Sequence, residues 1–201
     1  MEPYLSQDSP YQAYKEQIME AGRRLWLRGL VAANDGNISC RVAGGYLITA
    51  SGRSKGFLQP QDILLLDGEG RVCDGNPAPP SIETGLHLAL YQARPEVGAV
   101  VHAHPPAATA FALAGTDINL NAPDEVKLQL GRVALIPHGE AGSPELARNA
   151  AQALAAPDLG AGLLLRHGAV ALGQDIMKAL FRLEALEQAA RIMLAARLLQ
   201  G

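Results

Sequence analysis

The tightest constraint on how this chain can fold is the stretch Val97-Gly98-Ala99-Val100-Val101-His102-Ala103-His104-Pro105-Pro106. Its apolar part is too short for a helix, is rich in Val and is stopped by two prolines, so it reads as a buried strand. Side chains alternate faces along a strand, which sends His102 and His104 to the same side, one pleat apart. Such a pair is either two hydrogen-bonded histidines or a two-point claw for a transition metal. His167 is the candidate third member, because it too ends an apolar run (162–166) and is followed by Gly168. Three neutral imidazoles would leave one position open on a tetrahedral Zn²⁺, the arrangement of a reactive site rather than a structural one.

With 201 residues the chain can bury a sizeable core and is expected to form one domain over 1–201. Hydrophobic residues make up 48% of it but aromatic residues only 4%, so Ala, Leu, Val and Ile must build that core. The formal net charge of −3 comes from interspersed charges with no basic stripe, which argues against a nucleic-acid partner. The first nine residues are polar and acidic, unlike a signal peptide, and no apolar run approaches the ~18 residues of a membrane helix. Cys40 and Cys73 have no paired spacing and read as packing residues, so a reducing cytoplasm is the expected location, with no membrane partner.

Tyr11 to Ala32 has the apolar spacing of an amphipathic helix, and Asn34-Asp35-Gly36-Asn37 is a dense turn signal. Ile38–Val42 and Tyr46–Thr49 read as a hairpin about Gly44-Gly45. A third strand follows at Ile63–Leu66, against which 71–73 pairs back. After the proline-rich 76–80, Ser81 is expected to cap a helix from Ile82 to Arg94 that carries Glu83 in its first turn. A further helix is expected from Pro106 to Leu113. Residues 125–130 and 133–136 read as strands, or as a strand after a short helix. Ser143-Pro144 opens a helix to about Ala155, and Asp175 caps a long final helix whose apolar positions recur every three or four residues.

Glu83 is the first carboxylate to single out. It is either a solvated acid in a first helical turn or a group that closes a metal site at rest and acts as a base once substrate displaces it. Gly36-Asn37 and Ser51-Gly52 are either hairpin punctuation or anion-binding loops, with Lys55 able to add charge. His87, four residues after Glu83, reads as a hydrogen-bonded core residue. His138 lies in a loop, and Asp124-Glu125 reads as a solvated turn in which Glu125 is a minor acid/base candidate. Glu187 and Arg191 read as a surface helix pair.

In this order, Gly36-Asn37-Ile38-Ser39, Leu47-Ile48-Thr49-Ala50-Ser51-Gly52, Pro80-Ser81-Ile82-Glu83, His102-Ala103-His104, Ser143-Pro144-Glu145-Leu146 and His167-Gly168 resemble the zinc-dependent class II aldolase and adducin head family. The resemblance spans nearly the whole chain and is nearest in motif to L-fuculose-phosphate aldolase. It implies an α/β fold, a three-layer α/β/α sandwich around a largely antiparallel sheet, and a four-fold symmetric homotetramer. It further implies one Zn²⁺ per subunit on His102, His104 and His167, with Glu83 as resting fourth ligand and catalytic acid/base. Asn37, Ser51, Gly52 and Ser81 match positions that hold a substrate phosphate.

The implied activity is reversible cleavage of a ketose 1-phosphate into dihydroxyacetone phosphate and a short aldehyde through a metal-stabilised enediolate. Related chemistries in the same family are methylthioribulose-phosphate dehydration, which Glu125 would serve, and sugar-phosphate 4-epimerisation, whose enzymes carry Asp where Glu83 stands. An adducin-like binding module is the non-enzymatic alternative. The chain departs from the pattern at Ile82, where a second phosphate-binding Ser is common, and at His138, where many members have Tyr. It also lacks the Tyr-bearing tail of the fuculose aldolases after Gly201.

Overall fold

The computed structural model describes residues 10–118 and 124–199, except for the side chain of Glu125. The elements run α1 (Gln12–Leu27), β1 (Asn37–Val42), β2 (Gly45–Thr49), β3 (Ile63–Leu66), α2 (Thr84–Ala93), β4 (Ala99–Ala103) and α3 (Pro106–Ala114). They continue as α4 (Asp124–Leu130), β5 (Arg132–Ile136), α5 (Pro144–Ala153), β6 (Leu159–Leu164), β7 (Gly168–Gly173) and α6 (Ile176–Leu199). The strands form one sheet in the order β3-β2-β1-β4-β7-β6-β5, antiparallel except between β5 and β6.

Strand alternation sorts the core into two layers. Ile38, Cys40 and Val42 of β1, with Ala99, Val101 and Ala103 of β4, pack against α1, α3 and α6. Val100 of β4 and Val170 and Leu172 of β7 face the other way, onto Leu86, Leu90 and Tyr91 of α2 and Leu146 and Ala150 of α5. The result is the three-layer α/β/α sandwich around a largely antiparallel sheet that the resemblance implies. The same alternation turns Asn37, Ser39 and Arg41 of β1, and His102 of β4, toward α2.

Local sequence explains most of the ends. Ser143 accepts a hydrogen bond from Leu146 N at 3.1 Å with Pro144 in the first turn, and Asp175 Oδ1 accepts from Lys178 N at 2.7 Å. Residues 124–130 are helical and only 132–136 form a strand, the second of the two arrangements expected there. Asp124 is a solvated group 3.4 Å from Lys127, while the side chain of Glu125 lies outside the described residues.

Three expectations change. The helix expected from Ile82 starts at Thr84, with Glu83 rather than Ser81 at the N-cap, because Ser81 closes a turn of its own: its carbonyl accepts from Thr84 N and Thr84 Oγ1. Cys73 is exposed rather than packed. Glu187 is buried, not surface decoration. Its carboxylate accepts from Ala107 N at 3.3 Å and Ala108 N at 2.9 Å at the start of α3, as well as from Arg191.

Candidate active site

Three chain segments converge at one end of the sheet. His102 lies in β4, paired in register with Asn37 of β1, and His104 follows one residue after β4 ends. His167 sits in the three-residue turn joining β6 to β7, where Arg166 takes a left-handed φ of 63°. Gly168 then lets the chain pass close beneath His104: a Cβ there would come within 2.6 Å of both Ala103 O and the His104 ring.

The ligating atoms of His102, His104 and His167 all lie within 4.8 Å of one another. His102 Nδ1 donates to Ala169 O at 2.9 Å, which fixes the tautomer and aims Nε2 into the cluster. There it meets His104 Nε2 at 3.2 Å, close to the ~3.3 Å that separates two nitrogens on a tetrahedral Zn²⁺ with ~2.0–2.1 Å bonds. Burial, and after it the neighbouring His102, keeps His167 down at about 4 and lowers His104 as well. These rings are neutral lone-pair donors at neutral pH. The turn residue Asp35 places Oδ2 3.4 Å from His104 Nδ1 and orients that ring, a contact that the turn signal alone did not reveal.

Glu83 is buried beside the cluster, with Oε2 3.1 Å from His102 Nε2 and Oε1 3.5 Å from His167 Nε2. Burial pushes its carboxyl up, but the neighbouring His102 and His167 and the hydrogen bond from Asn37 outweigh it and hold it well below the usual carboxylate range. Oε2 accepts from Asn37 Nδ2 at 2.8 Å, whereas Oε1 is buried with no hydrogen-bond partner. An orphaned anionic oxygen facing three clustered imidazoles calls for a cation between them. The donor set therefore fits a metal ion.

The cluster opens into a cleft of about 210 Å³ whose walls include Asn37, Ser51, Gly52, Lys55, Ser81 and Ile82. An isolated antiparallel bridge, Ala50–Pro80, brings the 50–52 loop against the approach to α2. Ser51, whose N donates to Pro79 O at 2.9 Å, lines the cleft, and Ser81 Oγ accepts from Glu83 N at 3.3 Å, leaving its hydroxyl proton to give. Lys55 is buried and donates to Asn34 O at 3.0 Å and to Arg53 O, and burial brings it down to about 8. It clamps the loop from below. Ile82 is 67% exposed on the rim, and His138 is exposed and outside the three-histidine cluster.

All the expected metal and phosphate residues thus border one cleft or cluster. Residue-by-residue reading assigned no role to Asp35 and gave Ser39 and Tyr91 none. The last two join His87 in a buried hydrogen-bonded chain behind Glu83.

Residues 16–194 match the family model described as the class II aldolase and adducin N-terminal domain. The L-fuculose phosphate aldolase of Methanocaldococcus jannaschii is 32% identical over 180 residues, 90% of this chain and 95% of that protein. The methylthioribulose-1-phosphate dehydratase of Methylococcus capsulatus is 46% identical over 103 residues, 51% of this chain and 50% of that protein. The 3-oxo-tetronate 4-phosphate decarboxylase of Haemophilus influenzae is 34% identical over 187 residues, 90% of this chain and 86% of that protein. Among solved structures, the L-fuculose-1-phosphate aldolase from Thermus thermophilus superposes with a TM-score of 0.82 at 32% identity, over 93% of this chain and 95% of that one. By its three-layer fold, its clustered histidines and this match over most of its length, the chain belongs to the class II aldolase and adducin N-terminal domain family.

Proposed function

We propose that this protein is a zinc-dependent lyase that cleaves a ketose 1-phosphate into dihydroxyacetone phosphate and a short aldehyde. The observation that carries the proposal is Glu83: an ionised carboxylate with one oxygen tied to Asn37 and the other unpartnered, beside three clustered imidazoles on a cleft with small-residue anion donors. His102, His104 and His167 would hold one Zn²⁺ per subunit, with Glu83 closing the site at rest. Bound there, the ion supplies a Lewis acid beside the substrate's carbonyl and hydroxyl oxygens.

Every other part falls to the chain's own groups. The Ser51 and Ser81 hydroxyls, the Gly52 N–H and the Asn37 amide hold the phosphate, aided by the partial positive charge at the start of α2. Glu83, displaced by substrate, takes and returns the proton on the carbon next to the carbonyl. A cytoplasmic homotetramer of one-domain subunits completes the proposal. The unpaired cysteines support the location, and family membership supports the assembly.

The test is to offer the zinc-loaded protein a panel of ketose 1-phosphates and identify the products. Dihydroxyacetone phosphate plus an aldehyde supports the lyase, and a stereoisomer as sole product selects a 4-epimerase instead. A dehydratase is the second reading, favoured by the 46% identity to the Methylococcus capsulatus enzyme. Loss of water with all carbons retained selects it and directs attention to Glu125. Protein that neither carries nor takes up a transition metal would instead be a binding module.

A further inference from the structure

Behind Glu83 lies a line of buried polar side chains, of which phosphate binding uses Asn37 alone. Tyr91 OH is 2.8 Å from Ser39 Oγ, and Ser39 Oγ is 2.6 Å from His87 Nδ1. His87 Nε2 is 2.5 Å from Asn37 Oδ1, and Asn37 Nδ2 is 2.8 Å from Glu83 Oε2. Asn37, Ser39, His87, Tyr91 and Glu83 are all buried.

The line exists because two repeats match. Four residues of helix rise about 6 Å and two residues of strand about 6.7 Å. Glu83, His87 and Tyr91, spaced by four, therefore run alongside Asn37, Ser39 and Arg41, spaced by two. The end away from Glu83 is pinned. Arg41 lies over the Tyr46 and Tyr91 rings, which stack with centroids 4.8 Å apart, and Arg94 ties the end of α2 to Leu154, Ala156, Pro157 and Leu159 carbonyls.

The direction of the line follows from its last member. An ionised carboxylate only accepts, so Asn37 must present its NH₂ to Glu83 and its Oδ1 to His87. His87 Nε2 must then carry the ring proton. The ring is buried between two neutral partners, the Ser39 hydroxyl and the Asn37 amide, so it is neutral and Nδ1 is an acceptor. Ser39 must give its proton to Nδ1 and accept from the Tyr91 hydroxyl.

We propose that His87, held in this tautomer by Ser39 and Tyr91, is a positioning residue for Glu83. Every group in the line donates toward the carboxylate, so Oε2 is always the anchored oxygen and Oε1 always the one that exchanges the proton. Loss of the Ser39 donor frees His87 to take the other tautomer. Its bare Nε2 then faces Asn37 Oδ1, and that repulsion pushes the amide out of place and weakens its hydrogen bond to the carboxylate. The consequence for turnover rests on the lyase proposed above, but the direction of the line does not.

The experiment has two readouts. In the full-length chain, with and without Zn²⁺, the long-range ¹⁵N–¹H spectrum of the imidazoles reports the His87 tautomer, assigned by comparison with His87→Gln. A neutral Nε2–H ring is expected; an Nδ1–H ring or an imidazolium overturns the proposal and needs no folded variant. Ser39→Ala should give mixed tautomers and lower kcat about tenfold, the worth of a misdirected hydrogen bond to a charged group, with zinc content unchanged. Ser39→Thr should restore both. A Ser39→Ala protein with wild-type tautomer and wild-type kcat also overturns it. If no substrate on the panel turns over, the lyase proposal fails alone and the spectra still decide the direction of the line.

Discussion

Glu83→Gln replaces one oxygen by an NH₂ of the same size, and the structure dictates which one. Asn37 Nδ2 donates to Oε2 at 2.8 Å, so the new carbonyl must take the Oε2 position. The NH₂ then takes the Oε1 position, 3.5 Å from His167 Nε2. The side chain should stay where it was, with the fold kept and the three histidines still free to take up a metal. What disappears is the only anionic oxygen at Oε1. Removing a positioned acid/base group costs about 10²–10⁴ in rate, or about 2.7–5.4 kcal/mol of transition-state stabilisation. The assay is steady-state release of dihydroxyacetone phosphate by zinc-loaded wild-type and variant protein, with zinc measured by mass spectrometry and folding by Tm. A variant with full zinc and near wild-type turnover would refute the role given to Glu83.

Ile82→Ser restores a hydroxyl on the rim of the cleft at a position 67% exposed, so no packing is lost. A hydrogen bond to a charged group is worth about 1.5–3 kcal/mol, and inorganic phosphate should inhibit the variant at roughly tenfold lower concentration. Equal inhibition would place the phosphate elsewhere. The metal-free protein should lose stability as pH falls from about 7 to about 5. His87 and His167 are held to about 3 and about 4 by burial, against about 6.5 when unfolded. In that window the unfolded chain binds more protons, so stability drops by up to about 1.4 kcal/mol per pH unit for each ring, less for the partly exposed His167; urea midpoints across this range check it, and a flat profile contradicts the burial argument. Glu187→Ala orphans the Ala107 and Ala108 N–H groups at the start of α3 and should cost about 2–4 kcal/mol in urea unfolding, whereas a surface pair would cost under about 1.

The amino-acid sequence by itself determined the local signals. Pro105-Pro106 stopped the histidine strand, Ser143-Pro144 and Asp175 opened their helices, and the Val- and Leu-rich runs became β3, β4 and β6. These depend on φ restriction, capping and side-chain period, which neighbours along the chain settle. The ordered motifs also carried the family, and with it the three histidines and Glu83. Tertiary structure decided what distant segments do to one another. Glu187 looks like half of a surface pair until α3 arrives with two N–H groups to satisfy. Ser81 looks like a cap until its own turn moves the start of α2 and leaves Glu83 at the N-cap. Asn37 looks like a turn residue until register places it opposite His102, with its amide on Glu83. A buried polar group must find a partner, and that partner can sit 46 residues away, as Glu83 does from Asn37. No local pattern encodes such a choice; only the register of β1 against β4 and the alignment of α2 on β1 make it.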